Sequence, residues 1–345
     1  MSSDISKPWR GFASDNYAGA HPQILDAIIR ANEGHQTAYG DDETTARLEQ
    51  EIKSLFGEKA QIFPVFNGTG ANVTAIQSMT RSWEAVICAT TAHINADEGG
   101  APEKVAGLKL WTVTTPDGKL TPELIDVHAF DFGFVHRAQP AVVAITQSTE
   151  YGTVYTVEEI RAITDHAHKL GLKVHLDGAR IANAAVSLGK SFREFTVDAG
   201  VDAISFGGTK NGALSAEAVI TFDEELAKAM PFVRKSAMQL SSKMRYISAQ
   251  LLALLENDLW KLNATNSNEM AKRLAYGIKD VVNVTKPVDA NAVFAILPEK
   301  ALAKLQEEFH FYVWDHTVGE CRLMCSWDTT EQDVDAFIAA IRQSV

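Results

Sequence analysis

Ala141-Val-Val-Ala-Ile145, Thr156-Val-Glu-Glu159 and Leu172-Lys-Val-His-Leu176 follow one another within residues 141–180, and their order decides the fold class. The first and third are apolar runs of strand length. The second opens a helix as a capping box, in which the Thr156 hydroxyl and the Glu159 carboxylate each satisfy an end amide. That helix ends near Leu170, and Gly171 supplies its stop. Strand, helix, strand in this arrangement yields two parallel neighbours in one sheet. Apolar runs at 85–89 and 203–206 repeat the theme. The expected architecture is therefore α/β, a large domain whose mostly parallel sheet is covered by helices.

Further along, the pattern from Phe232 through Trp260 turns helical, and Leu251, Leu252, Leu254, Leu255 and Leu259 predict one long packed helix. Asn291-Ala-Val-Phe-Ala-Ile-Leu297 and Cys321-Arg-Leu-Met-Cys-Ser326 read as strands, and 331–344 as a last helix. Together they predict a smaller C-terminal α+β domain. The expected division is 1–250 and 251–345, with the N-terminal segment lying on the large domain or joining the small domain or an interface.

With 345 residues, 46% hydrophobic and 22% charged, the chain has the composition of a soluble globular protein long enough for two domains. Its formal net charge of -12 offers no basic stripe for phosphate backbones, which argues against nucleic acid or an anionic membrane as the main partner. Residues 1–8 lack the cationic and apolar segments of a signal peptide, and no apolar run is long enough to cross a bilayer, so a cytoplasmic location is expected. Cys88, Cys321 and Cys325 form no even disulfide set and have no partners at zinc-ligand spacing, so they read as packing residues and no metal site is expected.

Ligand sites in such sheets lie beyond the carboxyl ends of the strands, and four segments bring chemistry there. Val201-Asp-Ala-Ile-Ser-Phe-Gly-Gly-Thr-Lys-Asn-Gly212 ends an apolar run in glycines around Lys210. A lysine partly removed from water offers its neutral amine more readily, as bonding to an aldehyde requires. Phe63-Pro-Val-Phe-Asn-Gly-Thr-Gly-Ala-Asn72 turns through glycines into a helix start suited to one phosphate group, since neither the dinucleotide pattern nor the Walker lysine is completed. In Val174-His-Leu-Asp-Gly-Ala-Arg180, Asp177 either caps a helix or faces a protonated ring nitrogen, and Arg180 either forks to a ligand carboxylate or pairs with an acidic neighbour. Thr91-Ala-His93 places an imidazole where it can stack on a flat ring or move a proton.

Taken in order, Ser14-Asp-Asn16, Tyr39-Gly-Asp-Asp42, Asn67-Gly-Thr-Gly-Ala-Asn72, Ala92-His93 with Glu98, Asp177-Gly-Ala-Arg180, Thr209-Lys-Asn-Gly212 and Arg322-Leu323 resemble the motifs of the low-specificity L-threonine aldolases over nearly the whole chain. These are pyridoxal-phosphate enzymes of fold type I in the β-eliminating lyase group. The resemblance implies that Lys210 bonds covalently to the aldehyde of pyridoxal 5'-phosphate, that Asp177 pairs with its ring nitrogen, and that His93 stacks on its ring. It implies phosphate binding by the amides of Gly68 and Thr69, and substrate-carboxylate binding by Ser14, Arg180 and Arg322. Lys235 and Arg245 match cofactor-side basic positions that reach an active site from a neighbouring subunit, and Tyr39 would contact substrate across the same interface. A homodimer or homotetramer with shared sites follows.

Two positions depart from that family's pattern. Thr209-Lys210-Asn211 stands where Ser-Lys-Gly is common, and Glu150, in Ser148-Thr-Glu-Tyr-Gly152, stands where a second histidine approaches the substrate β-hydroxyl. The implied reaction is retro-aldol cleavage of L-threonine, L-allo-threonine or related β-hydroxy-α-amino acids to glycine and an aldehyde. Candidates for accepting the β-hydroxyl proton are His93, Glu150 or a water between them, with the water or His93 ranked above Glu150. The competing readings are β-elimination, transamination or racemisation on the same scaffold, and an amino-acid or cofactor binder without turnover.

Overall fold

The parallel core that the 141–180 stretch predicts is built as a seven-stranded sheet in which one strand alone runs against the rest. The structure is a computed structural model that describes residues 11–345, so the expectation drawn from residues 1–8 lies outside the described residues. The strands are β1 (Gln61–Val65), β2 (Glu84–Ala89), β3 (Lys109–Val113), β4 (Gln139–Thr146), β5 (Lys173–Gly178), β6 (Ala203–Gly207) and β7 (Glu217–Thr221). Their spatial order is β1-β7-β6-β5-β4-β2-β3, with β7 the antiparallel member. Both faces of β6 and β7 are buried throughout, which is why their sequences read as continuous rather than alternating apolar runs. Pro64 is tolerated because β1 is an edge strand.

Between β4 and β5 runs the helix Val157–Lys169, closed at its start by the capping box: Thr156 N–H donates to Glu159 Oε2 at 2.7 Å, and Glu159 N–H donates to Thr156 Oγ1 at 3.2 Å. A second, antiparallel sheet has the order β10-β11-β9-β8, with β8 at Asn283–Val284, β9 at Ala292–Ile296, β10 at Tyr312–Asp315 and β11 at Glu320–Met324. Its apolar face has its own core, in which Phe337 packs on Phe12 with ring centroids 4.5 Å apart. Phe12 is also tied in by backbone bonds to His310 and Met324. The N-terminal segment around Phe12 therefore packs with the second sheet. The helix Leu259–Ile278 serves both cores, through Ala264 in the first and Met270 to Ile278 in the second.

The single long helix expected from Phe232 through Trp260 is instead divided among three, Glu224–Ser236, Arg245–Leu255 and Leu259–Ile278. Asn257 and Asp258 part the last two, with φ of 59° and 57°. Asn and Asp are among the few side chains that accept this left-handed backbone, and apolar periodicity on either side conceals the break. Among the described residues no helix is long and apolar enough to cross a membrane.

Close approach at the strand ends depends on two glycines. A Cβ on Gly207 would lie 2.5 Å from the Ala179 carbonyl oxygen and 2.7 Å from its Cα, and one on Gly178 would lie 2.7 Å from the Ser205 oxygen. The carboxyl ends of β5 and β6, and the turns that carry Asp177 and Lys210, can meet only because these side chains are absent. Gly207→Ala is expected to cost about 1–3 kcal/mol of stability in chemical denaturation, as overpacking against rigid backbone does. Gly19→Ala, with open space around its Cβ, should stay within about 0.5 kcal/mol of the parent.

Candidate active site

Two adjoining cavities open beyond the carboxyl ends of β2, β4, β5 and β6. The inner, of about 310 Å³, and the outer, of about 420 Å³, share Asn16, His93 and Lys210 in their walls. Lys210 lies half-buried in a turn after β6, and Gly212 closes that turn at φ 104°. Asn211 anchors it: its side-chain amide donates to the Trp260 carbonyl at 3.1 Å, and its own carbonyl accepts from Asn263 at 2.8 Å. The residue that departs from the family pattern therefore ties the lysine turn to the helix behind it.

In the inner cavity, Gly68 and Thr69 occupy the first turn of the helix Gly68–Met79, where backbone amides have no intrahelical partner. Asn67 caps that helix by accepting from Gly70 N–H at 2.7 Å. Across the cavity Asp177 ends β5, its Oδ1 accepting from Ala179 N–H at 3.0 Å and its Oδ2 from Asn72 Nδ2 at 2.9 Å. The same Asn72 nitrogen donates to Glu98 Oε1 at 2.7 Å, and Glu98 Oε1 lies 2.8 Å from His93 Nδ1. This bond to Glu98 raises the His93 pKa against the opposing effect of burial, and Asp177 and Glu150 push in the same direction. Burial in turn pushes the Glu98 carboxyl up, while His93 and Asn72 pull it back. A carboxylate, an amide, a second carboxylate and an imidazole thus form one chain, buried up to the partly exposed imidazole. Lys210, His93, Asp177, Gly68 and Thr69 all line this one cavity.

The outer cavity is lined by charged and aromatic groups, its wall holding Ser14, Asp97, Glu150, Arg180, Tyr312, Trp314 and Arg322. Of the two uses open to Arg180 in the sequence, the pairing with an acidic neighbour is present: Nε and Nη2 bond the buried Asp15 carboxylate at 2.7 and 3.0 Å. Burial alone would raise the Asp15 pKa, but Arg180 and then Lys210 outweigh it and hold it low. Arg322 approaches Glu150 Oε2 at 3.4 Å through Nη1, while its buried Nε has no partner among the described residues. Burial and repulsion from Arg180 both lower the Arg322 pKa. Two guanidiniums at one wall, one with an unpaired donor, suit a carboxylate ligand.

Tyr39, Lys235 and Arg245 line neither cavity of their own chain. The Lys235 ammonium lies 5.3 Å from the centroid of the half-exposed Tyr39 ring, and Arg245 donates to the Gly34 carbonyl at 3.2 Å. Sequence reasoning passed over Asp15 and Asn72, although both stand inside the motifs it used. It passed over Asp97, Tyr312 and Trp314, which have no local signal. Glu217 had one, a carboxylate at the head of an otherwise apolar run; it is buried, lines the inner cavity and accepts from Thr209 N–H at 3.2 Å.

Glu98→Gln removes the main cause of the raised His93 pKa, so the His93 titration followed by NMR should shift to lower pH. A histidine whose folded pKa is raised stabilises the fold below its ordinary pKa and loses that contribution as pH climbs through the raised value. The variant should therefore lose the part of the pH dependence of stability that comes from His93, namely the fall as pH climbs through the raised His93 value. An unmoved His93 titration would show that Glu98 does not set it.

Residues 11–300 match the family model described as beta-eliminating lyase. Low specificity L-threonine aldolase from Pseudomonas sp. strain NCIMB 10558 is 43% identical over 335 residues, covering 96% of each chain. The enzyme of the same description from Pseudomonas aeruginosa is 43% identical over 337 residues, again covering 96% of each. A solved threonine aldolase from Leishmania major superposes with a TM-score of 0.92 at 30% identity, covering 97% of this chain and 99% of that one. The architecture is accordingly the fold type I arrangement expected from the sequence. The chain belongs to the β-eliminating lyase family and, within it, to the low-specificity L-threonine aldolases.

Proposed function

We propose that this lyase holds pyridoxal 5'-phosphate in the inner cavity and cleaves β-hydroxy-α-amino acids, L-threonine and L-allo-threonine among them, to glycine and an aldehyde. The observation that carries the reading is the shared wall: Lys210 and His93 border both an inner cavity with a helix start and a carboxylate and an outer cavity with two arginines. The residues fit the cofactor. The inner cavity has the size of a small-ligand site, and the Asn72 side chain keeps a buried Oδ1 without a partner. Lys210 would hold the aldehyde carbon, Asp177 the ring nitrogen, and the amides of Gly68 and Thr69 the phosphate. When bound, the cofactor supplies a sink for the electrons released at Cα.

The chain's own contribution is orientation and proton transfer. Arg322, Ser14 and the remaining donors of Arg180 would grip the substrate carboxylate, and this grip decides which bond at Cα is aligned for cleavage. His93, or a water that it holds together with Glu150, would take the β-hydroxyl proton; Glu98 fixes the imidazole through Nδ1 and leaves Nε2 for that exchange. Tyr39, Lys235 and Arg245 lie outside their own chain's cavities and would complete those of a neighbouring copy in a homodimer or homotetramer. Exposed Phe232 and Met238 flank Lys235 in sequence and support a covered surface there. The reading includes a cytoplasmic location, in keeping with three buried free thiols, Cys88, Cys321 and Cys325.

Lys210→Ala should abolish both the visible absorbance of the loaded protein and glycine release from threonine. Pyruvate without glycine from the parent would sink the aldolase reading. Glu150→Gln and His93→Asn separate the proton acceptors, since a loss of only a fewfold in rate removes the altered group as sole base. Mixing inactive Lys210→Ala and Arg245→Ala chains should restore about a quarter of parental activity in randomly paired dimers; no recovery would count against a site shared between copies.

A further inference from the structure

Val65 ends β1 and Gly68 opens the next helix, so the helix start in the inner cavity hangs on a joint of two residues, Phe66 and Asn67. Phe66 lies beyond the strand ladder, and side chains from two other segments hold its backbone. Its N–H donates to Gln239 Oε1 at 3.1 Å, and its carbonyl accepts from Ser215 Oγ at 2.9 Å. Ser215 follows the Lys210 turn, whereas Gln239 comes just after the helix Glu224–Ser236. Met238 takes a left-handed φ of 63° there, a place commonly left to glycine. Its N–H bonds the Lys235 carbonyl at 3.1 Å, and Gln239 N–H bonds the Arg234 carbonyl at 2.9 Å. Arg234 Nη1 in turn reaches the Pro64 carbonyl at 3.2 Å. This helix end is therefore tied to the chain at both 64 and 66.

Gly70 reports the same contact from the other side. A Cβ there would lie 2.3 Å from Gln239 Cδ and 2.5 Å from its Oε1 and Nε2. Glycine is a poor helix former, and the backbone at this helical position does not ask for it, since its φ is not left-handed. The Gln239 amide fills the place of the missing methyl. Gln239 does not line the inner cavity, whereas Phe66, Asn67, Gly68 and Thr69 do. We propose that Gln239 is a positioning residue for the cofactor's phosphate, holding the Phe66 peptide and the turn at Gly70 so that the amides of Gly68 and Thr69 are aimed into the cavity. The proposal rests on the reading that pyridoxal 5'-phosphate lies there with its phosphate at those amides. Amides grip a phosphate along their N–H directions, and a joint that had to be ordered on binding would weaken the grip. Lys235 and Arg245, assigned above to the neighbouring copy's cofactor, bring charge on flexible stems and leave those directions as they are. Lys235 stands only four residues before Gln239, so its influence has to be separated.

Binding of pyridoxal 5'-phosphate and of unphosphorylated pyridoxal is followed by absorbance in the parent and in each variant. Gln239→Ala should weaken the phosphorylated form about tenfold, the scale of one lost hydrogen bond, and leave pyridoxal within about twofold. Equal losses for the two ligands, or none, overturn the proposal. Gln239→Met keeps the length without the amide and should repeat the selective loss, which keeps the test open if the shorter side chain unfolds the protein; parental binding by this variant overturns the proposal. Gly70→Ala displaces the amide from the opposite side. Its loss should be equally selective, and adding Gln239→Ala should deepen it by no more than about twofold, because both changes remove one contact. Full additivity of these two overturns the proposal. In a Lys235→Ala background the expectation is reversed, and Gln239→Ala should cause its full selective loss. If it causes none once Lys235 is gone, the glutamine acts through that lysine and the proposal falls. A parent that binds pyridoxal 5'-phosphate no more tightly than pyridoxal would instead remove the placement of the phosphate on which this proposal stands.

Discussion

A single buried carboxylate joins the two sheets behind the site. Asp15 accepts the Arg180 fork that follows β5, and it also accepts from Asn291 Nδ2 at 3.1 Å, just ahead of β9. Asn291 in turn donates to the Cys325 carbonyl, immediately after β11. The large sheet, the N-terminal segment and the small sheet thus meet through one anion. Pairs of this kind add little net stability, because desolvation offsets their attraction, but losing one partner leaves a buried charge uncompensated, at about 3–5 kcal/mol. The outer cavity lies between the two sheets, with Arg180 on one side and Arg322 on the other, so the spacing of the two guanidiniums depends on this carboxylate.

The same constraint governs the inner cavity. His93, Glu98, Asn72 and Asp177 form a chain in which each buried polar group is held by the next. Such a chain fixes side-chain positions because each broken link would leave a polar atom dry. It also divides labour among carboxylates that are chemically alike. Glu98 is spent on orienting the imidazole, Asp177 is presented toward the cavity from a strand end, and Glu217 sits on the lysine side. Their environments, more than their identities, distinguish them.

The sheet was legible because a strand buried on both faces leaves a continuous apolar run, and the 141–180 unit shows two of these around a capped helix. Lys210, Asp177, His93 and the Gly68-Thr69 turn were legible as well, since each follows such a run and strand ends are where these folds bind ligands. The break at Asn257 and Asp258 was hidden, because two left-handed residues do not disturb the leucine pattern around them. Asp15 stands inside the Ser14-Asp-Asn16 motif, yet its role was hidden, because its partners stand at 180 and 291 and pairing at such sequence separation leaves no local trace. Trp314 and Tyr312 belong to the same class, brought to the outer cavity by the second sheet alone.

Both cavities mix charges, but arginine lines only the outer one. Its wall gathers Arg180 and Arg322 with Asp97, Glu150 and Ser14, while the inner wall gathers Asp177 and Glu217 around Lys210 and His93. In the proposed function, a zwitterionic amino acid would place its carboxylate at the arginines and its amine at the shared wall of Lys210 and His93. Asp15 and Glu150 each pair one of these arginines, so the outer wall offers directed donors rather than a bare positive charge. In that function, discrimination for a free α-carboxylate would follow from the unpaired Arg322 Nε, which an uncharged ester or amide would leave buried without a strong acceptor. Tyr312 and Trp314 stand at the Arg322 end of the cavity, their ring centroids 5.7 and 5.0 Å from its guanidinium carbon, so the aromatic walls flank the arginine donors.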